Sequence, residues 1–475
     1  MNRRTLLRAG AGLTAALASG TNKATNPTVD CFCDLPLVEA GLYCEKDACA
    51  AAAYDFGNII HAMPRAVLTP ASSADIAAVV RSAPKQKLQV AARGQGHSTY
   101  GRCMVVDGVV VDMRPLNTID EIHAGCIVVG AGATWKSVLE ATLVQGMTPP
   151  VLTNYLNLSV GGTLAVGGIG GTSSRFGMQT DQVLELDAVT GDGRELKCSR
   201  DSNPDLFDTL RGGLAKCGLV TRATLALTRA PDRVRRYQLF YPDLALLVAD
   251  QRSVLAEDRF DQLQGAIIPA GKGAWRYQLE GAVHYRSDSI PNDRVVLRDL
   301  ADNRRAAVIT DLTYREDALG FEKLEAMLRS KGLWSRPQPW LFTFLAGSNA
   351  ERVAGELMEG LTGEDLGAFG RITFYPMRTD AFRSSLVRLP DDSVAFPFNV
   401  VRIAAGEEKV GQMVTQNRAL YERIRRAGGV LYPASAFPMS SEDWKGHFGS
   451  RWPALAEARR RYDPDNVLTP GYEVF

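Results

Sequence analysis

Apolar residues recur with two periods along this chain, and the switches between them mark its elements. Residues 74–82 carry apolar positions at helical spacing behind Ser72 and Ser73, which have the character of a helix cap, and Pro84 ends the run. Residues 87–92 are a short apolar strand, and after a glycine-rich break a strand-like run covers 105–113. A strand at 127–129 and a helix over 135–145 follow, the helix stopped by Gly146, where a left-handed residue is wanted. Strands at 183–189 and 195–198 flank the turn Thr190-Gly-Asp-Gly193, and a helix to Leu210 and a strand at 218–227 close this first block. These short alternating elements predict an α+β domain over residues 55–230. Pro231 and the charged stretch 232–236 mark its end. Beyond it the elements lengthen, with helices predicted over 349–361 and 409–426 and strands over 277–284 and 371–376. They predict a second domain, 231–430, laid over the first, and a tail, 431–475, with a helix over 452–461.

Composition narrows the picture. The 475 residues suffice for two or three cores, and 45% hydrophobic with 23% charged residues is ordinary for a globular protein. A formal net charge of +1 gives no electrostatic reason to expect nucleic acid or an anionic membrane as partner. Arg3 and Arg4 precede a small-residue apolar run over 9–18, too short to span a bilayer. Residues 1–20 therefore read as a twin-arginine export signal, which predicts a periplasmic or secreted protein without stable membrane insertion. Cys31, Cys33, Cys44 and Cys49 crowd the following segment, 21–54. In an exported chain such a cluster reads as disulfides of undetermined pairing rather than a zinc site, so no metal is expected. Cys103, Cys126, Cys198 and Cys217 sit in or beside apolar runs and are expected to be buried small hydrophobes.

The candidate chemistry lies in two glycine-rich stretches. The first, Arg93-Gly-Gln-Gly-His-Ser-Thr-Tyr-Gly-Arg102, places glycines around a single histidine. It lacks the Gly-Lys-Ser/Thr of a Walker loop, and strand rather than helix follows, which suggests a backbone nest for a pyrophosphate. The second stretch, residues 159–177, holds seven glycines in nineteen residues, so the backbone there must approach something flat or phosphorylated.

With both stretches in view, the chain resembles flavoproteins of the vanillyl-alcohol oxidase type, and among them the cytokinin dehydrogenases. Matching segments include Asp55-Phe-Gly-Asn-Ile, the turn at His97, Gly332-Leu-Trp-Ser-Arg-Pro-Gln-Pro-Trp-Leu, Trp444-Lys-Gly-His-Phe-Gly and the terminal Tyr-Asp-Pro…Leu-Thr-Pro-Gly. The resemblance implies a two-part FAD-binding domain with an inserted α+β cap, and a tail that returns to the flavin domain. It implies FAD bound covalently through His97. Gly94, Gln95, Gly96, His97, Ser98, Arg102, Asn154, Ser159, Ala165, Ile169, Val220, Tyr432, Thr469 and Tyr472 would surround the cofactor. Some relatives add a second tether through a cysteine; the matching position here is Tyr155, so one tether is expected.

The resemblance also implies a small-molecule substrate, an N6-prenylated adenine whose secondary amine is oxidised, with oxygen or a quinone as electron acceptor. One departure stands out. Where the family shows Trp-x-Asp-Tyr-Leu, this chain reads Leu152-Thr-Asn-Tyr-Leu156, and the Asn154 amide cannot take a proton at any working pH. Glu280, matching a second substrate-facing glutamate, either binds the amine, substitutes as base, or is a carboxylate on a sheet edge. Two rivals follow: an alcohol or sugar oxidase of the same fold, and a flavin-loaded binding protein without turnover.

Overall fold

The computed structural model describes residues 41–475, less 124, 272 and 368. The export-signal reading and two of the four clustered cysteines, Cys31 and Cys33, lie outside these residues. Within them three larger sheets and one two-stranded sheet make a mixed α+β arrangement, as the alternating pattern predicts.

The first sheet runs in the order Leu42–Tyr43, Ala66–Leu68, Val109–Asp112, Val90–Arg93, its last three strands parallel. Parallel strands need both faces covered, and Ala66, Leu68, Val90, Ala91, Val109, Val110 and Val111 are all fully buried. The helix Ser73–Ser82 is capped by Ser72 in a capping box with Asp75, so the expected cap is there and the helix starts one residue before the expected position 74. The run expected as a strand over 105–113 is extended only at Val109–Asp112. Asp107 adopts a left-handed φ of 51° and pairs with Arg65, which turns the chain immediately before the strand.

The second sheet is antiparallel, in the order Ile119–His123, Cys126–Gly130, Gly218–Ala226, Val183–Thr190, Glu195–Ser199. The helix Trp135–Leu143 stops two residues early, and Gly146 takes the left-handed conformation with φ 67°. The third sheet has nine strands and contains the long ribbons Arg233–Tyr241, Gln262–Gly271 and Ala274–Tyr285. Ala274–Tyr285 lies between the other two, so Glu280 sits on an interior strand and not on an edge.

The second glycine stretch departs from a pure loop. Val160–Leu164 forms a helical turn, and within it Gly161 packs so closely on Ala131 that a Cβ would meet its Cβ at 2.9 Å. The irregular part comes after it, at Gly167 and Gly168, with φ of 133° and 81°. Cys198 and Cys217 are buried as expected, whereas Cys103 and Cys126 are half-buried. No helix among the described residues is long and apolar enough to cross a membrane.

Candidate active site

The histidine turn is shaped from outside by the segment Asp55-Phe-Gly. Asp55 Oδ2 accepts from Ser98 Oγ and from the Gly101 N–H, both at 2.7 Å. The Phe56 N–H donates to the Gly96 carbonyl at 2.7 Å and the Gly57 N–H to the Ser98 carbonyl at 2.9 Å. Two carbonyls of the turn are thereby held toward residues 56 and 57. Gly57 is required there, since a Cβ would lie 2.1 Å from the Thr99 carbonyl oxygen. Gly96, with φ 65°, allows the reversal that presents His97.

The chain's tail closes the other side. The Val90 N–H donates to the Val467 carbonyl and the Thr469 N–H to the Val90 carbonyl, both at 2.8 Å. Arg102 reaches the Gly471 carbonyl at 2.9 Å and the Phe437 carbonyl at 3.0 Å, with Tyr472 and Tyr100 against its guanidinium. Buried Lys216 donates to the Leu468 carbonyl, and burial holds its pKa down to about 8. Tyr432 Oη accepts from the Gly168 N–H at 3.0 Å, which ties the tail's start to the second glycine stretch.

Between these walls lies a cavity of about 430 Å³, within the ~300–1,000 Å³ usual for small-molecule sites. Every residue that the sequence places around the cofactor lines it: Gly94, Gln95, Gly96, His97, Ser98, Arg102, Asn154, Ser159, Ala165, Ile169, Val220, Tyr432, Thr469 and Tyr472. The residues present fit a dinucleotide. Among the described residues the N–H groups of Gln95, Gly96, His97 and Ser98 have no protein acceptor, so consecutive donors are free on a cavity wall. Beside them Gly94 lets the turn come close to Ser159, whose Oγ a Cβ there would meet at 1.9 Å. Apolar Ala165, Ile169 and Val220 suit a flat ring.

His97 stands where an aromatic cluster meets this cradle. Phe56 stacks on its ring at 3.9 Å between centroids with 20° between planes, and Tyr155 is 4.8 Å away. Trp334 and Trp340 complete the cage at 6.0 Å. Burial, and then the Arg329 cation, lower its pKa to about 3, so the imidazole is neutral with a nitrogen lone pair available at any physiological pH. Tyr155 donates to Glu325 at 3.1 Å, and its pKa rises to about 12 through burial and that carboxylate.

The surroundings of Asn154 differ from expectation. Asn154 lines the cavity, but Glu280 does not. Glu280 accepts from Gln278 Nε2 at 2.6 Å and stands 3.8 Å from Arg371. The side chain that faces Asn154 is Gln264, one strand over in register with Glu280, donating to Asn154 Oδ1 at 3.3 Å. Tyr375 is beside Gln264, buried, with its pKa raised to about 12. Among the described residues no aspartate or glutamate lines the cavity.

Comparison with known proteins accords with this geometry. Residues 64–199 match the family described as "FAD binding domain", and residues 266–475 the family described as "Cytokinin dehydrogenase 1, FAD and cytokinin binding". The chain is 41% identical to an uncharacterized oxidoreductase, ORF5 of the fasciation locus, from Rhodococcoides fascians, over 88% of this chain and 95% of that one. It is 33% identical to cytokinin dehydrogenase 7 of Oryza sativa subsp. japonica over 92% of both chains. The chain belongs to the cytokinin dehydrogenase family. It is an FAD-dependent oxidoreductase. The crystal structure of 6-hydroxy-D-nicotine oxidase from Arthrobacter nicotinovorans superposes with a TM-score of 0.73 at 19% identity, covering 92% of this chain and 98% of that one, which establishes the fold.

Seen as a member of the cytokinin dehydrogenase family, the chain has cavity residues that its sequence did not single out. Trp334 and Trp340 lie inside a segment matched to the family, yet nothing in its spacing says they cage His97. Gln264 and Arg371 come from strands of the large sheet and Tyr375 directly follows one, and alternation there shows which residues share a face but not which face meets the flavin domain.

Proposed function

We propose that this chain oxidises the CH–NH bond of an N6-prenylated adenine, with FAD tethered through His97, after twin-arginine export to the periplasm or medium. The observation that carries the reading is the joining of three features in one cavity: the donor-lined glycine turn, the neutral His97 in its aromatic cage, and the Asn154 amide.

Bound FAD would supply a two-electron hydride acceptor. The chain's own part is to hold the substrate. Asn154 Oδ1 has a second lone pair beyond the one used by Gln264, and it can accept from the substrate N–H. As the carbon beside nitrogen gives up hydride, the nitrogen lone pair forms the C=N bond and the N–H becomes acidic, which strengthens that hydrogen bond. The product is an iminium ion. Water adds to its carbon, the C–N bond breaks, and an aldehyde and the free aminopurine leave, the proton passing to solvent. This route needs no protein base, in keeping with a cavity whose described lining has no carboxylate and whose imidazole is neutral and tyrosines are of raised pKa. The Trp and Phe rings around His97 suit a planar ligand.

Anaerobic addition of isopentenyladenine, sugars and benzylic alcohols, followed by flavin absorbance, tests the reaction. Bleaching by isopentenyladenine alone supports it, and bleaching by an alcohol alone overturns it. The Asn154–Gln264 amide pair also favours a second reading, ligand binding without turnover, for which isopentenyladenine would shift the flavin spectrum without bleaching it. Changing Arg3 and Arg4 to lysine tests export: retention in the cytoplasm supports it, and undiminished recovery outside the cell refutes it.

A further inference from the structure

The large sheet meets the second glycine stretch along a polar seam. The Leu263 N–H donates to the Gly171 carbonyl at 3.0 Å, and a Cβ on Gly171 would come within 3.0 Å of the Gln262 side chain. Beside this contact Arg175, on the helix Ser173–Phe176, pairs with Asp261 and donates to the Asp258 carbonyl at 3.1 Å. Thr148 shares a hydrogen bond of 3.0 Å with buried Tyr314. The seam adjoins the cavity: Gly168 and Ile169, just before Gly171, line it, and so does Gln264, two residues after Gln262.

His284 is set into this seam. Its backbone N–H donates to Asp261 Oδ2 at 2.7 Å, the Tyr314 ring meets its ring edge-on at 5.7 Å, and its Nε2 stands 2.9 Å from Gln262 Nε2. Other groups fix which way that amide points. Gln262 Nε2 also donates to Asp317 Oδ2 at 3.1 Å, and Gln262 Oε1 accepts from Arg236 at 3.5 Å, while Arg236 itself pairs with buried Asp317. Turned over, the amide would set its oxygen against the Asp317 carboxylate and its amine against the Arg236 guanidinium. Gln262 is therefore a donor to the ring, and His284 Nε2 presents a lone pair. A proton there would bring two N–H donors face to face.

The charges around the ring do not offset that clash. Burial lowers the His284 pKa; Asp261 and Asp317 raise it, and Arg175 and Arg236, each paired with one of these carboxylates, lower it again.

We infer that His284 is an acid-operated latch on this seam: uncharged, it accepts the Gln262 hydrogen bond and the large sheet stays closed on the glycine stretch, and proton uptake on Nε2 displaces the amide and opens the contact. Opening frees the Gly171 carbonyl and loosens the wall that Gly168, Ile169 and Gln264 give the cavity. The latch thus couples the acidity of the medium to the cofactor site, whichever substrate is oxidised. In the open seam the imidazole titrates near 6.5, so opening takes up a proton and is favoured as the pH falls below about 6.5.

Amide exchange on the holoenzyme, read peptide by peptide by mass spectrometry and divided by the intrinsic rate at each pH, reports the opening at Leu263. It detects openings while the closed form still predominates. Between pH 7.5 and 5 the opening constant should rise roughly three- to thirtyfold, the range set by a ring that titrates near 6.5 when open and lower when closed. His284→Gln keeps an acceptor for Gln262 but cannot titrate, and the rise should vanish. A flat constant in the native protein, or the same rise in His284→Gln, overturns the inference. If His284→Gln does not fold, exchange of the His284 Cε1 hydrogen in the native protein decides instead. Its midpoint should lie below 6.5, and Gln262→Glu, which gives the protonated ring an acceptor, should lift it. A native midpoint at or above 6.5, or one that Gln262→Glu leaves in place, overturns the latch.

Discussion

Gln264 Nε2 donates to Asn154 Oδ1 at 3.3 Å, so two amides meet on the cavity wall. Neither can ionise, and neutral His97 and Tyr375, with pKa values near 3 and 12, do not titrate near neutrality. The flavin-reduction rate should therefore be flat from about pH 5 to 9, apart from titration of the substrate itself. Asn154→Asp should raise that rate by roughly ten- to a thousandfold, the scale of a positioned base. The gain should fade as falling pH protonates the new carboxylate. Stopped-flow reduction across this range checks both, and a bell-shaped native profile would place an unrecognised base in the cavity.

His97 carries a prediction separate from turnover. The imidazole, stacked at 3.9 Å on Phe56 and neutral, does not take up a proton near neutrality, and the proposed tether uses its lone pair instead. The native protein should show a flavin-fluorescent band on a denaturing gel, and His97→Ala should lose the band while retaining a folded chain by circular dichroism. A fluorescent His97→Ala band would move the tether to another residue.

Asp55 and Gly57 shape the turn without touching substrate. Removing the Asp55 carboxylate leaves Ser98 and the Gly101 N–H without their acceptor, a loss of about 1–3 kcal/mol at a buried site. Asp55→Ala should lower FAD content and thermal midpoint together. Gly57→Ala, whose Cβ must displace the Thr99 backbone, should do the same. An unchanged flavin-to-protein absorbance ratio in both variants would show that the turn is held by other means.

His447 governs acid stability. It is buried against Trp444 and Phe448, neither ring nitrogen has a partner, and burial followed by the Arg388 cation lowers its pKa to about 3. An unfolded histidine titrates near 6.5, so between about pH 6.5 and 3 the unfolded chain binds the extra proton and stability falls as the pH falls. The slope approaches about 1.4 kcal/mol per pH unit from this residue. Denaturant titrations at pH 5, 6 and 7.5 should show it, and His447→Leu should lower the slope by that amount, leaving the equal share of His97, whose pKa burial also holds near 3. An identical slope in that variant would assign the acid sensitivity elsewhere.

The sequence by itself determined the local elements and the cofactor cradle. Helix caps such as Ser72 and reversals such as Gly96 and Gly146 are written in single residues, because φ preference and capping act over a few positions. The cradle's residues were legible through family-matched segments, and all fourteen line one cavity. Tertiary structure alone decided the surroundings of Asn154. Glu280 and Gln264 are register partners on adjacent strands of an interior ribbon, both polar, and only the docking of the large sheet over the flavin domain puts Gln264 into the cavity and leaves Glu280 outside it. The same docking brings Arg371 to the cavity, because which neighbours a side chain meets depends on surfaces brought together from distant parts of the chain.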